Sequence, residues 1–131
     1  MFALPFALAL LATDAPLDLA QLDAAIASCN KELTLPFFSG EGDRRSRFLT
    51  DIYAEQAAIN RERSEVLSRR RAAREGNGTV DADRALSLAQ LALDDRQRLL
   101  DDRRRLEALR QEAVDLKRQH YLTRCARGGK D

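Results

Sequence analysis

The stretch Glu75-Gly76-Asn77-Gly78-Thr79 decides the fold of this chain. It is the one interruption in a helix-forming run from Asp43 to Arg127, which holds no proline and no other glycine. Glycine and asparagine accept the left-handed backbone of a tight reversal, so the chain is expected to fold back at residues 76–79. Cys29 and Cys125 lie at equal sequence distance from Asn77. A reversal there brings the two cysteines opposite each other and predicts a disulfide. The expected fold class is all-α: a long antiparallel helical hairpin, coiled-coil-like, with a short N-terminal helix packed at its open end.

Hydrophobic spacing extends this reading in both directions. Leu19, Leu22, Ile26, Cys29 and Leu33 recur at alternating three and four, one apolar stripe of a first helix from about Asp18 to Asn30. Residues 34–42 contain Pro36, Gly40 and Gly42 and are expected to form a non-helical connector, with Phe37 and Phe38 plugging the junction. A second helix is expected from Asp43 to Glu75, about 50 Å long. Its seam is Leu49, Ile52, Gln56, Ile59, Arg63, Val66, Arg70 and Ala73.

Thr79 or Asp81 can cap a third helix running to about Ala126, roughly 70 Å. Its heptad-like seam is Ala85, Leu88, Ala92, Asp95, Leu99, Asp102, Leu106, Leu109, Ala113, Leu116 and His120. Leu99 and Leu106 are expected to face the stretch from Phe48 to Ile59. The third helix then overhangs the second, and the first helix covers the overhang. Mirror pairing places Arg103, Arg104 and Arg105 near Asp51 and Glu55, and Asp94 and Asp95 near Arg61 and Arg63. Residues 127–131 read as a frayed tail.

Composition agrees with narrow apolar seams. Aromatic content is 5%, tryptophan is absent, and charged residues make up 33% of 131 residues, which bounds the chain to one small domain. The net charge of +1 supplies no global field toward nucleic acid.

The first twelve residues are apolar and uncharged, with polar sequence following at Thr13-Asp14. They read as a signal peptide, 1–12, ahead of a hairpin domain, 13–131, and are too short to span a bilayer. No basic residue precedes the apolar run, and no small-x-small cleavage site is well placed. The expected location is periplasmic or secreted, with no transmembrane segment after processing. The alternative is a cytoplasmic protein with a greasy N-terminus.

No catalytic, metal or cofactor motif stands out. The cysteines do not form a CxxC pair, and the single histidine, His120, offers too few further ligands for structural zinc. Asp94-Asp95 and Asp101-Asp102 are adjacent on a helix and do not converge on one ion. The strongest local signal is Arg61, Arg63, Arg69, Arg70, Arg71 and Arg74, which makes the hairpin basic near its tip. Such a cluster can bind phosphate or carboxylate groups. The bland alternative is a solvated helix surface whose arginines pair with Glu62, Glu65 and Glu75.

In layout alone the chain resembles secreted periplasmic holdase chaperones of the Skp type, which carry helical-hairpin arms. No motif is shared, and no residue is carried across. The expected role is an exported protein-interaction or scaffolding module, either chaperone-like or an accessory subunit of an envelope complex. Its partner is a protein or a second copy of itself. The alternative is a binder of an anionic envelope component, lipid or polymer, through the arginine-rich arm. An enzyme is not expected, and neither a cofactor nor a nucleic-acid partner is implied.

Overall fold

The computed structural model describes residues 18–76 and 78–126. The apolar N-terminal segment, Asn77 and the tail from residue 127 lie outside the described residues. Three α-helices follow in order: α1 (Leu19–Ala27), α2 (Lys31–Glu75) and α3 (Val80–Tyr121). A π-helical turn, Leu122–Ala126, continues α3. α2 and α3 form the long antiparallel hairpin, and the short α1 packs against both at its open end.

Local chemistry sets each boundary. Asp18 caps α1 in a capping box: its carboxylate accepts from the Gln21 N–H at 2.7 Å, and the Gln21 side chain accepts from the Asp18 N–H at 3.2 Å. α1 ends earlier than the expected Asn30. The Cys29 N–H donates to the Ile26 carbonyl and the Asn30 N–H to the Ala25 carbonyl, the paired bonds of a Schellman ending. Cys29 occupies the left-handed position of that ending at φ 50°. Asn30 then caps α2, its side chain accepting from the Leu33 N–H.

α2 corrects the expected connector. The segment from residue 34 to 42 is helical, and the helix begins at Lys31 rather than Asp43. The reason is which face each residue takes. Pro36, Gly40 and Gly42 are exposed, whereas Thr34, Phe37, Phe38, Glu41 and Phe48 are buried or half-buried at three- and four-residue spacing. Proline inside a helix costs about 3 kcal/mol or more. Phe37 and Phe38, packed against Leu22, Ile26, Tyr121 and Cys125, supply the opposing burial. With its early start α2 has 45 residues against 42 for α3 and five for its π-helical continuation, so the expected excess length of the third helix shrinks to two residues.

The reversal falls where expected, with Gly76 ending α2 and Thr79 capping α3 through the Ala82 N–H at 3.1 Å. Neither described glycine of the turn takes a positive φ. Gly78 is required for another reason: a Cβ there would stand 2.9 Å from the Ala73 carbonyl oxygen. Close approach of the two strands of the turn, not left-handed backbone, selects glycine at this position.

The hairpin core is Ile52, Ile59 and Val66 from α2 with Leu86, Leu93 and Leu100 from α3. Both sets repeat every seven residues and are mirror images about Gly76. On α3 this is not the expected seam. Leu99 and Leu106 do not face α2; both are exposed, as are Leu88, Leu109 and Leu116. α3 carries two apolar rows, and a two-helix contact buries one of them. Turning the leucine-richer row inward would desolvate Asp95 and Asp102, whose carboxylates are exposed instead. The row that wins also continues into Val114 and Tyr121, which reach the open end.

At that end Cys29 and Cys125 are bonded, with an S–S distance of 2.06 Å and Cα atoms 5.5 Å apart. Leu22 and Ile26 of α1, Tyr121 and Cys125 form a second cluster, flanked by Phe37 and Phe38. The expected disulfide and the small three-helix core are both present. Phe48 packs on the hairpin cluster instead, and Tyr53 is exposed.

Candidate functional site

Between the two apolar clusters lies a polar layer. Continuing the seven-residue repeat of α3, Glu107 falls between Leu100 and Val114. Its carboxylate accepts two hydrogen bonds from Arg44, at 2.5 and 3.2 Å, and one from Gln111 at 3.0 Å. Glu41 is buried and accepts from Arg44 at 3.1 Å and from Arg110 at 2.8 Å. Arg110 also lies over the Phe37 ring, 6.0 Å from its centroid. Two acids and two arginines thus balance one another across the α2–α3 contact. Burial alone would push the Glu107 carboxyl up, but hydrogen bonds from Arg44 and Gln111 and the nearby arginine charges hold it below its ordinary value. Arg44 is raised by the same hydrogen bond to Glu107. The layer ties the two helices in register. Periodicity does not mark it, because Pro36, Gly40 and Gly42 surround Glu41 with connector signals and Glu107 lies outside the leucine-rich repeat.

The tip arginines divide into two groups. Arg63 pairs with Asp94 at 3.3 Å, as the mirror placement suggests, and Arg70 reaches the Ser87 hydroxyl at 3.4 Å. Arg61, Arg69, Arg71 and Arg74 are exposed and make no ion pair among the described residues. The other expected charge pairs are rearranged. Glu55 and Glu62 both receive Arg96, at 3.0 and 2.5 Å. Asp95 pairs with Arg98 on its own helix, Arg104 with Asp101, and Arg105 with Asp102. Arg103 lies over the Phe48 ring at 5.6 Å.

The outer face of α3 carries the most distinctive surface. Leu88, Leu91, Leu99, Leu106, Leu109 and Leu116 are 58 to 66% exposed. With Ala92, Asp95, Asp102, Ala113 and His120, all of these except Leu91 complete a three–four repeat, roughly 130° around α3 from the row that faces α2 at 100° per residue; Leu91 lies at its edge, beside Ala92. An isolated exposed leucine is ordinary, but leucines that recur along one face of a helix, here interrupted by Asp95 and Asp102, form an unpartnered seam. The sequence signal was the leucine spacing itself, attributed to the wrong contact.

His120 is exposed. No group of three or more His, Cys, Asp or Glu side chains placed to hold a metal occurs among the described residues. No helix among them is long and apolar enough to cross a membrane. Fold and surface together define the chain as a small all-α domain, a disulfide-stapled helical hairpin with an exposed leucine seam. No protein-family model matches the chain, and neither a curated protein nor a solved structure shows significant similarity to it.

Proposed function

We propose that the chain is an exported helical binding module, acting as a chaperone-like protein or as an accessory subunit of an envelope complex. The observation that carries this reading is the exposed leucine row on α3. Amphipathic helices dock through such rows, with anchors at three- and four-residue spacing. The groove beside the row is an open trough, running along Glu62, Val66, Arg69, Ala92 and Leu93. It suits a helix or extended segment better than a substrate that must be enclosed. We therefore take the role to be binding rather than catalysis. The apolar first twelve residues and the Cys29–Cys125 bond support export to an oxidising compartment.

Photo-cross-linking in cells tests this reading. Cross-linkers at Leu88, Leu91 and Leu109 are expected to capture a protein, and a cross-linker at an exposed polar position such as Asp51 is not. Equal capture from both faces, or none from α3, sinks the proposal. A second reading rests on Arg61, Arg69, Arg71 and Arg74, whose charges are exposed and without an acidic partner among the described residues. It assigns the arm to an anionic lipid or polymer. Binding to anionic vesicles that falls steeply with salt and is lost on reversing Arg69, Arg71 and Arg74 would favour it. Salt-tolerant capture through the leucines would not.

A further inference from the structure

We propose that the outer face of α3 pairs antiparallel with the same face of a second copy of this chain, centred between Glu107 and Ala108. The inference rests on the reading of that face as the working surface and names its occupant.

Charge selects the arrangement. A parallel pair would set Asp95 against Asp95 and Asp102 against Asp102 along its axis. Both carboxylates would be desolvated beside a like charge. An antiparallel pair about a twofold axis avoids this. Centred at residues 107–108, Leu106 meets Leu109 of the second copy, and Leu99 meets Leu116 of the second copy. Asp102 then faces the small Ala113, and Asp95 faces His120, the chain's single histidine.

Flanking residues fix the register. Along one edge of the row, Arg105 comes within a turn of Glu112 of the second copy, and the symmetry makes this contact twice. Glu112 is exposed and holds no ion pair among the described residues; Arg105 is held only by Asp102 at 3.6 Å. Sliding the pair by one heptad in one direction puts Arg105 against Arg105. The other direction puts Glu112 against Glu112. The face is thus its own complement in one register.

The opposite edge is basic: Arg96, Arg103, Arg110 and Lys117. In the antiparallel pair these residues approach one another, yet each is already occupied in its own chain. Arg96 binds Glu55 and Glu62, Arg110 binds Glu41, and Lys117 binds Asp23. Arg103 covers the Phe48 ring. α1 packs near the same end through the Lys117–Asp23 contact and leaves Leu116 exposed, so the row stays open to a second chain. The overlap runs from Asp95 to His120. It leaves Leu88, Leu91 and the tip arginines of each copy beyond it, on arms that point in opposite directions.

Sedimentation velocity on the oxidised full chain tests the pairing. A dimer is expected at about 100 µM, where even a Kd in the micromolar range populates it. Leu106→Glu should yield a monomer with unchanged helical circular dichroism. Arg105→Glu and Glu112→Arg should each shift the chain toward monomer, and the double variant should recover the dimer. A monomeric parent chain at that concentration overturns the proposal, as does a Leu106→Glu dimer. A double variant that fails to recover overturns the register. An Arg105→Glu variant that dimerises more tightly shows parallel pairing and overturns the antiparallel one. A chain that stays monomeric yet cross-links to another protein from Leu88 or Leu91 removes the dimer and leaves the binding reading standing.

Discussion

Cys29 sits at φ 50°, where an L side chain costs about 1–2 kcal/mol and glycine almost nothing. It holds that position because the same residue ends α1, precedes the Asn30 cap of α2 and bonds Cys125. Separating these roles is straightforward. In a Cys125→Ala background, Cys29→Gly should be more stable than Cys29→Ala by about 0.5–1 kcal/mol in urea denaturation. The reverse order would show that the corner is not left-handed. Glu107 offers a second test at this scale. Its folded pKa is depressed, so the unfolded state binds the extra proton between the folded value and about 4.3. Its contribution is therefore complete above that upper limit and is lost as pH falls through the folded value. Glu107→Gln should be less stable than the parent at neutral pH, and the gap should narrow under acid. A gap that stays constant from neutral pH to about pH 2 would remove Glu107 from the acid response.

At the scale of helices, the reversal and its glycines were legible because nothing else interrupts a run rich in helix formers. The disulfide was legible because two cysteines mirrored about a turn have few other partners. The connector was misread because proline and glycine weigh heavily in a local reading, while their placement on the solvent face of α2 shows only against the inward positions Thr34, Phe37, Phe38 and Glu41. The α3 seam was misread for a sharper reason. Two apolar rows are written on one helix, and leucine count favours the wrong one. The choice is made by polar contacts that periodicity does not weigh: Gln56 with Gln97, Arg96 with two glutamates, and the Glu41–Arg44–Glu107–Arg110 layer. Two substitutions separate the rows. Leu100→Ala empties a buried site and should cost about 2–5 kcal/mol. Leu106→Ala should change the stability of the monomer by no more than about 0.5 kcal/mol. Equal costs measured on monomeric protein would mean that the two faces of α3 have been interchanged.

Across the whole molecule, the two apolar clusters draw on different parts of the chain. The hairpin cluster uses α2 and α3 and contains no residue of α1. The end cluster depends on Leu22 and Ile26 of α1, which is held by the adjacent disulfide and by their burial against Tyr121, Phe37 and Phe38. Lys117 pairs with Asp23, and Arg124 donates to the Ala27 carbonyl. The Cys29–Cys125 bond spans a sequence separation of 96 residues. A loop of that size stabilises by up to about 4.7 kcal/mol in the chain-entropy model. Its loss should not be shared evenly. When the bond is reduced, α1 loses the constraint that keeps it beside Tyr121, whereas Ile59 and Leu93 keep every neighbour they had. Reduction should therefore raise amide exchange first in α1 and around Tyr121. The amides of Ile59 and Leu93 should stay protected by most of the remaining stability, as expected of separate cooperative units. Hydrogen exchange on oxidised and reduced protein measures this directly. If α1 and the hairpin centre lose protection together, the polar layer couples the two clusters into one unit. The arm would then owe its rigidity to the staple at the far end.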